Sequence, residues 1–283
     1  MRVLDSHLHL WDPDTLSYGW LTGDLLRRFG PKELDEELGL APQADHRGFV
    51  FVQADCVREQ SVAEVDWVLD QSVQFPLRGI VAFAPVSDGV AVGHALEELH
   101  GRPMVIGVRE LLQDYPPGFF TSAAFISGAR EVANAGFAFD ACVRAGQLDE
   151  LAGFADRVPE LTVILDHLGK PPLGRPDSVG QPDDADWSRA MRALARRPNV
   201  VCKLSGLPAE GPGGGSAIQV RPFLDLAADA FGSDRLIFGG DWPVSRPYGV
   251  WLELVTTWLS RTFAPAQQDA ILWTNAERVY ALQ

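Results

Sequence analysis

Four side chains that could hold a metal ion or move protons follow apolar stretches of the sequence. His7 and His9 form an H-x-H pair in DSHLHLW, His167 lies in VILDHLGKP, and Asp241 lies in LIFGGDWP. Side chains two apart on a strand point to the same face, so both rings of the pair can reach one point. Taken singly, each residue also has a structural interpretation, as a polar strand end for the histidines and as an N-cap or Asx-turn for the aspartate.

Taken together, the four residues support two chemistries. Three imidazoles and a carboxylate suit one divalent metal ion with an activated water, and Zn²⁺ is the favoured ion. The same four can instead carry out metal-free general acid/base catalysis, with Asp241 taking a proton from water. We therefore predict Asp241 and His167 as catalytic residues, and as metal ligands His7, His9, His167 and Asp241. The other three histidines, His46, His94 and His100, are interpreted as surface residues.

Further polar and aromatic residues are expected near the same place. Arg109 in VIGVRELL and Lys203 in VCKLSGL are cations in apolar surroundings, which is costly unless each meets an anion or a polar ligand. The alternative for Arg109 is a structural ion pair with Asp140 or Asp55. We predict as substrate-binding residues Arg109, Lys203, Trp11, Gln53, Asp140 and Trp242.

The elements that must position these residues alternate along the chain. Apolar runs such as GFVFVQA and LTVILD lack polar alternation, which is typical of strands buried on both faces of a sheet. They predict strands at about residues 2–8, 48–54, 79–85, 104–109, 137–143, 161–166, 200–205 and 236–240. Helical spacing of apolar residues predicts helices at about 59–74, 90–100, 124–135, 147–157, 186–196, 220–231, 249–261 and 265–281.

Eight strands with intervening helices predict either a closed barrel or a doubly wound open sheet. The count of eight, with polar residues at the strand ends, favours the α/β class and a (β/α)8 TIM barrel, whose loops after the strands build the active site. No linker divides the sequence, so residues 1–283 are predicted to form a single domain. Long connections at 11–30 and 171–187 are expected to set specificity.

Composition narrows the classes of partner and location. The formal net charge is −14, which disfavours nucleic acid because phosphate binding needs clustered Lys and Arg. No apolar stretch approaches the roughly 18 residues of a membrane span. The three cysteines are an odd number in apolar runs, which indicates reduced thiols and a cytoplasmic protein. We expect a small-molecule substrate and no nucleic-acid or membrane partner, and we leave a homo-oligomer open.

The ordered motifs resemble the amidohydrolase superfamily, specifically its amidohydrolase-2 branch of lactone hydrolases. The resemblance covers nearly the whole chain through DSHLHLWDP, FVQADC, GVRELLQ, FDACV, VILDHLGKP, CKLSGL and FGGDWP. It implies that His7 and His9 match the first-strand pair, His167 the sixth-strand histidine, and Asp241 the eighth-strand base.

Two departures from the binuclear members of that superfamily speak against a two-metal site. Arg109-Glu110 stands where those members have a carbamylated lysine, and Phe139-Asp140 stands where many have a metal-binding histidine. The resemblance implies hydrolysis of a sugar-acid lactone, such as L-fucono- or L-rhamnono-lactone, by water activated by Asp241 with or without one divalent ion. The alternatives are a 2-pyrone-4,6-dicarboxylate hydrolase, a metal-dependent decarboxylase of the same fold, and a non-catalytic barrel that binds carbohydrate or acts as a scaffold.

Overall fold

Eight parallel strands form the centre of the structure, a computed structural model that describes residues 1–174, 185–211 and 215–282. Each strand pairs with the next in sequence, in the order β1 to β8. The last strand returns to the first, since Asp241 N donates to His7 O at 2.7 Å and His9 N donates to Trp242 O at 2.8 Å. The result is the predicted (β/α)8 barrel, with β1 Arg2–Leu8, β2 His46–Val52, β3 Leu77–Phe83, β4 Val105–Leu111, β5 Ala138–Cys142, β6 Val163–Leu165, β7 Val200–Leu204 and β8 Leu236–Phe238.

Helices connect the strands and surround the barrel. They are α1 Pro31–Leu38, α2 Ser61–Gln71, α3 Gly93–His100, α4 Ala123–Asn134, α5 Leu148–Arg157, α6 Ala185–Leu194, α7 Leu207–Glu210, α8 Ala217–Phe231, α9 Tyr248–Thr262, α10 Pro265–Asp269 and α11 Asn275–Val279. In place of one last helix at 265–281, a π-helical turn at Ala270–Thr274 separates α10 from α11. Across the described ranges, the helices are too short or too polar to span a bilayer.

Helix α1 lies in the connection after β1, where no helix was predicted. Its start nevertheless has a recognisable signal, because Pro31 takes the first helical position and the Glu33 carboxylate accepts from Gly30 N at 2.8 Å. The same connection is tied back on itself by Trp11 and Phe29, whose backbones exchange two hydrogen bonds of 2.9 Å. Of the other predicted specificity loop, 171–187, residues 175–184 lie outside the described part of the chain.

Apolar side chains fill the N-terminal half of the barrel interior. We call them the lower layer; every strand contributes, β4 through the partly buried Ile106, and the C-terminal segment covers them with Trp273, Ala276 and Tyr280. A second and larger cluster packs between the strands and the helices. The polar residues singled out in the sequence therefore lie above an apolar floor made by Leu4, Val50, Val52, Val81, Ala138, Ile164, Val201 and Ile237.

Candidate active site

The histidine pair is aimed into the barrel by an irregularity in β1. Between Asp5 and Leu8, three residue steps of β1 lie opposite only two steps of β2, from Phe49 to Phe51. The extra residue is a β-bulge, which bends a strand and re-aims its side chains. Nε2 of His7 consequently lies 3.1 Å from Nε2 of His9. The Asp5 carboxylate supports the bulge by accepting from His7 N at 2.9 Å.

The hydrogen bonds of the two rings indicate which nitrogens are free. His9 Nδ1 donates to Val52 O at 2.7 Å, so Nε2 is the nitrogen that carries the lone pair in the neutral tautomer of this ring. His7 Nδ1 lies 3.2 Å from Asp166 Oδ1, and a proton held there leaves Nε2 of His7 free in the same way. Burial lowers the pKa of His7 well below its usual value, so this ring is neutral near pH 7. Both rings can thus offer a lone pair to one point.

His167 stands directly after β6 in a backbone conformation with positive φ, 53°. Its Nδ1 lies 2.9 Å from Ser205 Oγ at the end of β7, and burial lowers its pKa. This position of the His167 ring requires glycine at residue 206. A Cβ at Gly206 would lie 2.2 Å from His167 Nδ1, and φ of +72° at this residue also favours glycine.

Asp241 follows β8 and faces all three imidazoles. Its Oδ1 lies 3.4 Å from His9 Nε2, 3.8 Å from His7 Nε2 and 3.9 Å from His167 Nε2. Its Oδ2 accepts from Ser245 Oγ at 2.7 Å, which fixes the carboxylate plane. Burial raises the pKa of Asp241, but the three imidazoles outweigh burial and hold the pKa well below its usual value. The carboxylate is therefore ionised.

The arrangement fits a divalent cation. Among the described residues, the ligand atoms of His7, His9 and Asp241 lie within 4.8 Å of one another, as do those of His7, Asp166 and His167. Neutral imidazoles and an ionised carboxylate are the ligands that Zn²⁺ and similar ions take. Asp166 already faces two cations, so the first group is the better cage.

A buried group of charges, which we call the middle layer, lies between the lower layer and the histidines. Lys203 Nζ is 2.6 Å from Asp140 Oδ2 and 3.0 Å from Asp166 Oδ1. Arg109 Nη1 is 3.5 Å from Asp166 Oδ2, and Arg109 Nη2 donates to Gln53 O. Burial raises the pKa of Asp166, but Lys203 and His7 outweigh burial and lower the pKa well below its usual range. Each charge in this layer thus faces an opposite charge.

A cavity of about 270 Å³ opens above the histidines. Three of the four predicted catalytic and metal-binding residues line it, together with Arg109, Lys170 and a carboxylate at Asp55. His7, the fourth, lies beneath it. The full lining is His9, Trp20, Ala54, Asp55, Arg109, Leu111, Gln113, Cys142, His167, Lys170, Ala209, Glu210, Asp241 and Val244.

Five of the six predicted substrate-binding residues lie away from this lining. Lys203 and Asp140 face each other in the middle layer. The Trp11 indole donates to Arg27 O at 2.9 Å, and Trp242 packs edge-on against Phe29. The Gln53 side chain accepts from Asp55 N at 2.6 Å. Their contact with a substrate stays a prediction.

Several residues of the site and its surroundings lie outside the predicted set, and three of them illustrate why. Asp166 carries a local signal, since it is a carboxylate at the end of an apolar run and next to His167. Trp20 lines the cavity and donates to Ala54 O at 2.8 Å, and only its place in the first long loop pointed to it. Tyr280 reaches Asp140 from the far end of the chain, and no motif marks it.

Comparison with known proteins shows the family of this chain. The model of the amidohydrolase family matches residues 4–282. The chain belongs to the amidohydrolase family. An L-fucono-1,5-lactonase of Burkholderia ambifaria is 30% identical over 99% of this chain and 95% of that protein. An L-rhamnono-gamma-lactonase of Scheffersomyces stipitis is 27% identical over 86% of this amidohydrolase and 85% of its own length.

A solved structure has the same architecture. An amidohydrolase from Burkholderia multivorans, crystallised with bound zinc, superposes with a TM-score of 0.84 at 30% identity and with full coverage of both chains. The fold and the family of this chain agree with that relative, and the described residues of this chain contain a candidate His/Asp metal site.

Proposed function

We propose that this amidohydrolase hydrolyses the lactone of a sugar acid, of the L-fucono- or L-rhamnono-lactone type. The observation that carries the proposal is the convergence of Asp241 Oδ1 with Nε2 of His7, His9 and His167 beneath a cavity. The names of the two curated relatives supply the substrate class. The single domain over residues 1–283, the cytoplasmic location and a homo-oligomer stay predictions.

In the proposed reaction, Asp241 takes the proton from the attacking water. Oδ1 is the oxygen that faces the imidazoles, while Oδ2 is held by Ser245, so proton transfer is directed to one atom. Attack forms a new C–O bond and breaks the π bond of the ester carbonyl, which gives a tetrahedral oxyanion. Its collapse breaks the ring C–O bond, and the leaving alkoxide takes the proton held by Asp241. The Arg109 guanidinium and the His167 ring line the cavity where that negative charge develops, and we assign its stabilisation to them.

We propose that one divalent cation, Zn²⁺ by its ligand preference, is held by Nε2 of His7, His9 and His167 and by Asp241 Oδ1. When bound, such an ion polarises a carbonyl oxygen and lowers the pKa of water. The protein's own contribution is to keep the imidazoles neutral and oriented, through Val52 O, Asp166 and Ser205. In the metal-free alternative the same residues act on water directly.

The charges of the cavity favour a neutral sugar lactone over 2-pyrone-4,6-dicarboxylate. Two cations line the cavity among the described residues, and one of them, Lys170, is 2.9 Å from Glu210. Three carboxylates share the same lining, at Asp55, Glu210 and Asp241. Without a metal ion, a dicarboxylate would meet more negative than positive charge there, whereas hydroxyl groups can donate to those carboxylates. Trp20 offers an apolar ring face for the sugar.

The test is hydrolysis of a panel of aldonolactones, followed by proton release in an indicator assay with and without a chelator. We expect turnover of L-fucono- or L-rhamnono-type lactones, and a fall in kcat of about 10²–10⁴-fold in Asp241→Asn. The control is Asp70→Asn, which changes an exposed aspartate on α2 and should retain full activity. Loss of activity on chelation, restored by Zn²⁺, would support the metal; indifference to chelation would favour the metal-free alternative.

If no lactone turns over with or without added metal, the lactonase proposal is wrong. The next substrates are then 2-pyrone-4,6-dicarboxylate and unsaturated acids, with loss of ultraviolet absorbance or release of CO₂ as the signal. An Asp241→Asn variant that behaves as the parent in every assay would favour the scaffold alternative.

A further inference from the structure

The last residues of the described chain reach into the barrel from the end opposite to the cavity. Helix α11 ends at Val279, and the next residue, Tyr280, is 3% exposed. Its ring packs in the lower layer with Val201 and Ile237. A tyrosine buried this deeply places its hydroxyl among the strands, where it needs a hydrogen-bond partner.

That partner is a carboxylate of the middle layer. The Tyr280 hydroxyl lies 2.9 Å from Oδ1 and 3.0 Å from Oδ2 of Asp140. Lys203 Nζ donates to Asp140 Oδ2 at 2.6 Å, so the carboxylate is held from two sides. Asp140 and Lys203 are both fully buried. Water therefore does not reach either group to replace a lost contact.

The contacts continue upward to the candidate metal ligands. Lys203 Nζ lies 3.0 Å from Asp166 Oδ1 and 3.1 Å from His7 Nδ1. Asp166 Oδ1 in turn faces His7 Nδ1 at 3.2 Å. The opposite nitrogen of the same ring, Nε2, faces His9 and Asp241. With the proton on Nδ1, the His7 ring is oriented from below by Asp166, and Lys203 in turn holds Asp166.

We propose that Tyr280 is a positioning residue for catalysis: through Asp140 and Lys203 it holds the His7 ring in its productive orientation. A carboxylate bound by Lys203 alone can rotate about its χ2 torsion, and Lys203 would move with it. Tyr280 lies outside the cavity lining, so it has no route to contact substrate directly. We therefore expect a substitution of Tyr280 to lower kcat and to leave KM unchanged.

The first test is Tyr280→Phe, which removes the hydroxyl and keeps the ring. Lys203 Nζ lies 5.9 Å from the centroid of that ring, a contact that phenylalanine retains. The inference rests on the proposed lactonase function for this readout. We expect kcat to fall about tenfold with KM within about twofold, since one hydrogen bond to a buried charge is lost.

The matched control is Tyr115→Phe, which also removes a hydroxyl bonded to a carboxylate, here to Glu110 Oε1 at 2.7 Å. Its kcat should stay at the parental value. An unchanged kcat in Tyr280→Phe, or a rise in KM alone, would overturn the inference. If Tyr280→Phe does not fold, Asp140→Asn removes the negative charge that joins Tyr280 to Lys203, and a fall in kcat of at least the same size is expected of it.

A second readout does not depend on activity. In enzyme labelled with ¹⁵N-histidine, the ring signals of His7 are assigned by their loss in His7→Gln. Tyr280→Phe should shift the His7 signals and leave those of His46, His94 and His100 in place, since these three are exposed. Tyr115→Phe should shift none of them. Should no lactone be turned over, the proposed function fails, and unchanged His7 signals in Tyr280→Phe would separately overturn the positioning role.

Discussion

The two ends of the barrel interior are built on the same strands and differ in chemistry. Along β5, the inward positions are Ala138, Asp140 and then Cys142, which lines the cavity. Along β7, Val201 gives way to Lys203 two residues later. Because inward side chains recur every second residue, two residues are enough to pass from the apolar lower layer to the charged middle layer.

This difference gives the two halves of the barrel interior different roles. The lower layer is apolar and fully enclosed, which suits a role in stability. The middle layer contains four charges, and each would be costly if buried alone. Gly239, directly after β8, leaves room for the His7 side chain, because a Cβ there would lie 2.8 Å from His7 Cβ. Charge is thus confined to the half of the barrel interior that holds the histidines.

The largest expected effect is on the stability of the middle layer. Lys203→Met leaves Asp140 and Asp166 buried without the cation between them, and we expect the free energy of unfolding to fall by about 3–5 kcal/mol. In Lys32→Met, the exposed lysine 3.8 Å from Glu36 is lost, and the change should stay within about 0.5 kcal/mol. Urea denaturation measures both. Equal losses of stability in the two variants would mean that Asp140 and Asp166 do not depend on Lys203.

The next largest expected effect is on catalysis and concerns His167, which lines the cavity. In Gly206→Ala, the new Cβ meets the His167 ring, and we expect kcat/KM to fall about 10²-fold because the ring is displaced. Gly136→Ala is the matched control, since φ there is +77° and no atom lies within 4 Å of the new Cβ. It carries the same backbone strain and should retain activity. A similar loss of activity in both variants would attribute the effect to strain alone.

The sequence predicted the barrel and the four central residues for physical reasons. Strands buried on both faces read as unbroken apolar runs, and polar residues at their ends stand out against those runs. Relations across the barrel were not predictable. The bulge in β1 depends on its register with β2, and the contact of Tyr280 with Asp140 joins residues far apart in the chain. Local sequence also could not identify Asp140 and Asp166 as the anions that Lys203 faces, and the contact of Lys203 with a substrate stays a prediction.

The smallest expected effect is at the strand side chains of the lower layer, where a substitution should change stability and leave catalysis unchanged. Ile237→Val removes one methylene from a fully buried side chain, so we expect the free energy of unfolding to fall by about 0.5–1.5 kcal/mol. Ile218→Val makes the same change at a side chain that is 62% exposed and should cost less than about 0.5 kcal/mol. Both variants should keep the parental kcat, because the middle layer lies between Ile237 and the histidines. A lowered kcat in Ile237→Val, measured on folded enzyme, would show that strand side chains of the lower layer, and not Tyr280 alone, position the site.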